Sequence, residues 1–330
     1  MSTAEQEYAS FLDRLLEANQ TFACFFEPLS SEPEIHIQQN ELPKKIYSPD
    51  LLTGEEGFVF APFHITKKSP AYLMNDACIT KGFKHDNLIH INTDKNPINQ
   101  DNNNSTTYTD YCSCFQEMMD EMESGRVKKV VLSRTLLVPH EPNISSGKLF
   151  LSLKKRYNGA YVYLVHIPEA GTWMGATPEV LLRGTKEYFT TISLAGTLKF
   201  QEQDSSSYNW GAKEIVEQDI VSAYIKNCLN ESGLIIDKKT GPQTIIAGTV
   251  AHLKTEFNFR FPNYESNLGA LINSLFPTPA VCGLPKNKSK EIILQTEKHD
   301  REFYSGFLGK IGVEQKTDLF VNLRCMKILP

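Results

Sequence analysis

Two carboxylates three residues apart, Glu214 and Glu217, lie on the segment WGAKEIVEQDIVSAYIKNCL. Its spacing predicts a helix with Val216, Ile220, Ala223 and Tyr224 on one apolar stripe. Like charges at i, i+3 repel, and on most helices such a pair stands in solvent. The sharper alternative is a divalent cation, because magnesium is commonly held by one or two carboxylates, waters and an anionic group of the substrate. A second feature is the run Lys128-Lys129-Val130-Val131-Leu132-Ser133-Arg134, where alternation turns the two lysines to opposite sides of a sheet. Burial disfavours the inward ammonium and lowers its pKa, which makes such a lysine usable as a general base. A solvated strand-end lysine is the plainer alternative.

In Gly175-Ala176-Thr177-Pro178-Glu179 the proline and small residues separate two apolar runs and leave a carboxylate at the start of the second. Glutamates in such places usually form salt bridges, whereas one enclosed in a pocket has a raised pKa and can donate a proton. The turns Leu194-Ala195-Gly196-Thr197 and Phe276-Pro277-Thr278-Pro279-Ala280-Val281-Cys282-Gly283 are rich in small residues, which let backbone amides approach a ligand closely. His166 and His252 fall in expected strands without a metal-spaced companion, so hydrogen-bonded structural roles are their default. Phosphate-cradling glycine loops, a serine-nucleophile elbow and His-Glu-x-x-His are all absent from the sequence.

The elements that must position these residues are read from periodicity. Tyr8, Phe11, Leu12, Leu15 and Leu16 give the first segment one apolar helical face to pack on a sheet. Strands are expected at TFACFF, GFVFAPF, NLIHI, KKVVLSRTLLV, AYVYLVHI, TWMGA, EVLLR, EYFTTISLAG, TIIAGTVAHL, YSGFLGKIGV and LFVNLRCMKIL. Helices are expected through Phe115, Met118, Met119 and Met122, and near 146–156, 210–230, 264–275 and 288–297. The stretch from Ile91 to Asp110 has almost no apolar residue and reads as a surface loop. Consecutive strands without intervening helices favour antiparallel pairing and an α+β fold, a single large domain with helices outside. Its expected division is a variable part, 1–110, and a catalytic part, 111–330, of the same domain.

Composition removes several classes of function. The 34 Lys+Arg against 39 Asp+Glu give a net charge of −5 with no basic stripe, which argues against nucleic acid as a partner. No apolar run is long enough to span a membrane, and the amino terminus lacks the pattern of a signal peptide. Seven cysteines, an odd number mostly in apolar stretches, suit reduced thiols and a cytoplasmic protein.

Taken in order, KVVLSR, GATPE, LAGT, a helix with Lys-Glu-x-x-Glu, FPTPAVCGLP, DREFYSGFLG and VNLRC resemble the chorismate-utilising enzymes, most closely the isochorismate synthases. The resemblance covers about residues 110–330 and rests on the number and order of the motifs. It implies antiparallel sheets packed together with the site in a cleft between them. The implied reaction adds water at C2 of chorismate as the C4 hydroxyl leaves, with Mg2+ on the ring carboxylate. On this resemblance Lys129 is the base that activates water and Glu179 the acid that protonates the departing hydroxyl. Glu214 and Glu217 match magnesium ligands; Gly196, Thr197, Ala280, Tyr304, Arg324 and His252 match substrate-binding positions.

Within the family, KVVLSR resembles the water-adding enzymes, so no glutamine amidotransferase subunit is expected. The turn Leu194-Ala195-Gly196-Thr197 also differs from the Pro-Ile-Lys-Gly-Thr of aminodeoxychorismate synthases. Salicylate synthase, which shares the lysine and then eliminates pyruvate, is the alternative product assignment. Isochorismate feeds menaquinone and siderophore biosynthesis alike. Two departures from the family stand out. Phe276 replaces the usual His before the Pro-Thr-Pro-Ala turn and is expected to alter packing at the cleft edge. The chain also stops at Lys327-Ile328-Leu329-Pro330, where relatives continue through a glycine-rich strand and a helix bearing another magnesium-binding Glu and a substrate-contacting Lys. The corresponding expectation is a truncated chain with impaired turnover or, in another class, an inactive chorismate-binding protein.

Overall fold

The computed structural model describes residues 1–39, 42–83, 105–139, 144–200 and 208–329. In chain order the elements begin with α1 (Thr3–Glu17), β1 (Phe22–Phe26), β2 (Glu34–Gln38), β3 (Lys44–Ile46), β4 (Gly57–Ala61), β5 (Ala71–Met74) and β6 (Ala77–Lys81). Next come α2 (Tyr108–Glu123), β7 (Lys129–Val130), α3 (Ser146–Arg156), β8 (Tyr161–Ile167), β9 (Gly171–Thr177), β10 (Val180–Thr185), β11 (Tyr188–Lys199) and α4 (Ala212–Glu231). The last are β12 (Ile236–Ala247), β13 (Val250–Arg260), α5 (Tyr264–Leu275), β14 (Gly283–Leu284), α6 (Lys286–Thr296), β15 (Phe307–Ile311), β16 (Lys316–Val321) and β17 (Cys325–Ile328).

Two large antiparallel sheets face each other, one of six strands ordered β17-β9-β8-β1-β2-β6 and one of nine ordered β12-β13-β11-β10-β16-β15-β4-β5-β3. The uninterrupted apolar runs explain the layering, since strands such as β1 and β8 are buried along their whole length. Phe25, Tyr161, Tyr163 and Trp173 of one sheet meet Phe58, Phe60 and Phe320 of the other, with Tyr161 and Phe320 stacked at 4.1 Å. On its outer face the six-stranded sheet is covered by α1 and α3, through Tyr8, Phe11, Leu12 and Phe150. Helices α4 and α5 cover the nine-stranded sheet, through Val221, Ile225, Leu268 and Ile272. The α+β architecture of antiparallel sheets with helices outside is therefore the observed one. Strands from the first 83 residues lie inside both sheets: β1 between β8 and β2, and β4 between β15 and β5.

Several elements differ from the periodicity reading, each for an identifiable reason. The long strand expected at KKVVLSRTLLV shrinks to the two residues of β7, paired with β14. Beyond it the amides find partners one at a time: Val131 on Cys282 O, Ser133 on Glu297, Thr135 on Thr106 Oγ1 and Leu137 on Ser105 Oγ. The segment TIIAGTVAHL is two strands, β12 and β13, folded back at Gly248, whose φ of +68° suits a hairpin turn. LFVNLRCMKIL also divides, into β16 of the nine-stranded sheet and β17 of the six-stranded one.

Helix α2 begins at Tyr108, where the Thr107 hydroxyl accepts the Asp110 amide, so the polar loop stops short of Asp110. The rest of that loop up to residue 104, with NLIHI, lies outside the described residues. Of the α2 residues expected inside, Met118 is buried beside Cys114, while Phe115 is exposed.

Helix α4 is rotated from its expected stripe. Gln218, Val221, Ser222, Ile225, Cys228 and Leu229 face inward and Val216 is exposed. Polar partners on the sheet cause this: Gln218 Nε2 donates to Ser193 Oγ at 2.8 Å and Thr255 Oγ1 at 3.0 Å, and Ser222 meets Ser193 at 2.7 Å. Phe276 is buried in the core under the same sheet, edge-on to Phe307 at 4.9 Å. All seven cysteines are free thiols. Among the described residues no helix is long and apolar enough to cross a membrane.

Candidate active site at the crossings between sheets

The chain passes from the six-stranded to the nine-stranded sheet at Pro178-Glu179, between β9 and β10, and returns at Asn322–Arg324, between β16 and β17. Because β10 pairs with β16 and β9 with β17, the two crossings lie side by side. They are stitched together by Val321 N to Glu179 O (2.9 Å), Ala176 N to Arg324 O (3.2 Å) and Thr177 Oγ1 to Val321 O (2.6 Å). A residue at a crossing leaves both ladders and can point into the space where the sheets part.

Glu179 does so with only 2% of its surface exposed. Its carboxylate accepts one long hydrogen bond from Thr278 Oγ1, at 3.4 Å. Burial pushes its pKa up to about 7, against the opposing pull of Thr278 and Lys129, so the acid form persists to near neutral pH. Lys129 reaches the same space from β7, while Lys128 is exposed. Its Nζ donates to Pro279 O at 2.6 Å and stands 3.5 Å from Glu217 Oε1. Burial lowers its pKa, and Glu217 and Glu179 offset that only in part.

Glu217 and Glu214 stand in the first turns of α4, so the inward rotation of Gln218 brings their part of the helix against β11. There β11 bulges between Ala195 and Thr197, with Gly196 at a φ of +68°. A side chain at Gly196 would begin 3.2 Å from both Cβ and O of Glu214, so glycine permits the approach of helix and bulge. Across the ladder, His252 Nδ1 lies 3.1 Å from Gly196 O and 3.2 Å from Thr197 Oγ1. Its Nε2 accepts from Arg324 Nη2 at 2.6 Å, and Arg324 Nη1 donates to Ala247 O at 2.9 Å. Burial lowers the His252 pKa first, with Arg324 adding to the effect and Gly196 O and Glu217 opposing it. The ring is therefore a neutral acceptor for arginine at neutral pH.

The structure thus brings together Lys129, Glu179 and Glu217 in one group and Gly196, Thr197, His252 and Arg324 in an adjoining one. Glu217 acts electrostatically on both Lys129 and His252, and Glu214 lies against Gly196. Ala280 is half-buried in the turn whose Pro279 carbonyl holds Lys129. Tyr304 is placed differently: it lines a cavity of about 730 Å³ with Ser133, Trp173, Arg301 and Cys325, its ring beside the Arg301 guanidinium. The turn from Phe303 to Ser305 packs it on the aromatic core between the sheets and is bonded to the return crossing, Ser305 N donating to Asn322 O at 2.8 Å and Asn322 Nδ2 to Phe303 O at 2.8 Å.

Hard carboxylate oxygens at Glu214 and Glu217 suit magnesium, which keeps waters and takes substrate oxygens. Among the described residues no group of three or more His, Cys, Asp or Glu could form a closed metal cage. Motif reading singled out neither Thr278, which holds Glu179, nor the Pro279 carbonyl. Thr278 and Pro279 lie inside the small-residue turn it flagged, but nothing local says which atoms of that turn face the lysine.

A family model described as "Chorismate binding enzyme" matches residues 53–329. An isochorismate synthase of Escherichia coli (strain K12) is 32% identical over 209 residues, 62% of this chain and 53% of that protein. The chain spans about half the length of its sequence relatives. Among solved structures, a Bacillus anthracis protein assigned as a 2,3-dihydroxybenzoate-specific isochorismate synthase superposes with a TM-score of 0.74 at 20% identity, covering 97% of this chain and 89% of that one. The menaquinone-specific isochorismate synthase of Escherichia coli gives 0.67 at 18% identity, covering 94% and 80%. At these identities the superpositions establish the shared fold.

Proposed function

The chain belongs to the chorismate-binding enzyme family, and from that premise we propose that it converts chorismate to isochorismate. The observation that carries this reading is the burial of Lys129 beside Glu179. Burial depresses the lysine and raises the carboxyl to about 7, shifts that favour proton acceptance by the amine and proton donation by the acid within one group of side chains. Lys129 takes a proton from the water that attacks C2. Glu179 gives its proton to the hydroxyl leaving C4, the ring double bonds shift, and a second water departs. The proton held by Lys129 returns to Glu179 through solvent, which closes the cycle without a redox partner.

Arg324, fixed by His252 and Ala247, has the planar fork suited to a carboxylate of the substrate, and Gly196 and Thr197 present backbone to its ring. Glu214 and Glu217 would hold Mg2+, whose chemistry when bound is to neutralise the ring carboxylate. Water as nucleophile makes an ammonia-supplying amidotransferase partner unnecessary.

The test is incubation of the purified 330-residue protein with chorismate and magnesium, resolving products by chromatography, with Lys129→Ala as control. Isochorismate formed by the wild type, with a rate about 10³-fold lower in the variant, is expected. Salicylate would move the assignment to the pyruvate-eliminating relatives, and unreacted chorismate would overturn the enzymatic reading.

A further inference from the structure

Lys129 is held by more than its own side chain. Just past α6, Glu297 and Arg301 form a buried two-bond ion pair, Nε to Oε2 at 2.8 Å and Nη2 to Oε1 at 2.6 Å. The guanidinium lies over the Phe63 ring at 4.5 Å and turns further hydrogens to backbone. Nη1 donates to Val281 O at 2.8 Å and Nη2 to Val131 O at 2.6 Å. Glu297 Oε1 in turn accepts from Ser133 N at 2.7 Å and Ser133 Oγ at 2.9 Å.

The two carbonyls have particular addresses. Val131 lies two residues beyond Lys129, and Val281 two residues beyond Pro279, whose carbonyl receives the lysine Nζ. One guanidinium therefore spans the two backbones whose separation sets where the amine points. It does so where β7 has ended, Val131 N on Cys282 O being the last backbone bond to the strand's partner and residues 132–133 having no ladder. Only arginine offers donors in a planar fork that can serve a carboxylate and two carbonyls together; a lysine has a single point of attachment.

We propose that Arg301, oriented by Glu297, is a positioning residue that acts through Lys129, tying the lysine segment to the Thr278–Ala280 turn so that the amine meets the attacking water. The catalytic consequence rests on the isochorismate synthase reading; the clamp itself does not.

The experiment compares Arg301→Lys and Ser133→Ala, each in the wild-type and Lys129→Ala backgrounds, measuring kcat and KM separately. Amide hydrogen exchange over residues 128–134 is followed by mass spectrometry. Loosened aim is expected to lower kcat of Arg301→Lys roughly 30- to 100-fold, with KM within about threefold of wild type. In the Lys129→Ala background the same change is expected to cost less than about threefold, because the group it positions is gone. Exchange over 128–134 should rise by roughly tenfold while β8 stays protected. Ser133→Ala, which removes one bond to Glu297, should move every readout the same way by less, and keeps the test open if Arg301→Lys does not fold.

Equal losses in both backgrounds would overturn the positioning role in favour of general support of the fold, and unchanged exchange would overturn the clamp. A wild-type protein without turnover would remove the functional reading and the catalytic half of the proposal, while the exchange arm still decides the clamp.

Discussion

Two buried lysines in this molecule have opposite surroundings. Lys310, on β15, projects between the sheets to Glu34 Oε2 at 3.2 Å and Glu27 Oε1 at 3.5 Å. Around them Arg183 pairs with Glu27 at 3.0 Å and with Asp318, and His36 meets Glu34 at 2.8 Å. Burial alone would depress Lys310, yet the glutamates outweigh it and its pKa is raised; Glu34 is likewise held low by His36 and Lys310 against burial. Glu27, shared between two cations, stays raised by burial and by Asp318. At Lys129 the balance tips the other way, and among the described residues Glu179 has one long hydrogen bond, from Thr278. A buried charge ringed by partners is fixed as a charge, whereas one left short of partners remains able to exchange a proton.

The contrast is sharpest at the two lysines themselves. Lys129→Ala is expected to lower chorismate turnover by about 10³-fold while the thermal midpoint stays close to wild type, as scanning calorimetry would show. Full activity in that variant would break the comparison at its catalytic end. Lys310→Met should do the reverse, lowering stability by about 3 to 5 kcal/mol in urea titration, because Glu34 and Glu27 stay in place with the ammonium they share removed. The folded fraction should keep its turnover.

Glu179→Gln joins the two kinds of readout. Turnover should fall about 10²-fold through loss of the acid. Stability should respond with a definite sign: folding raises this pKa from 4.5 to about 7, so the folded state binds more protons between those values and the wild type loses stability as pH rises through that window. The glutamine variant should therefore be more stable than wild type at pH 8, by at most about 3 kcal/mol, and should show no such gain at pH 4. A gain at pH 4 instead would mean that Glu179 is stabilised as a carboxylate. The smallest effect is expected from Gly196→Ala, about 1 to 2 kcal/mol of stability from the left-handed backbone. Because the new methyl presses on Glu214, a proposed magnesium ligand, the magnesium concentration that gives half-maximal rate should rise; an unchanged value would overturn Glu214 as a ligand.

How far the sequence reached can be judged element by element. The helices at 146–156 and 264–275 match their observed bounds, because apolar spacing is a local signal, reinforced in the first by the Ser145 cap. The continuous apolar runs of β1, β4 and β8 announced strands buried on both faces. The face of α4 was misjudged, since its inward side is set by Gln218 and Ser222 finding polar partners on β11 and β13. No hydrophobic period can report a polar interface. The length of β7 was overstated for a related reason: a strand-forming sequence becomes a strand only where a ladder partner exists, and here Glu297, Thr106 and Ser105 supply single bonds instead.

The chemistry divides along the same line. Residue type and motif order by themselves pointed to the groups proposed to exchange protons, hold a cation or bind a substrate carboxylate: Lys129, Glu179, Glu214, Glu217, His252 and Arg324. Tertiary structure alone decided their state, because pKa depends on burial and on charges that come from distant parts of the chain. Glu179 is an acid near neutral pH because two sheets close around a crossing, and Lys129 points where it does because the turn at Pro279, 150 residues away in sequence, and Arg301 of the Glu297–Arg301 pair, 170 residues from Val131, hold it there.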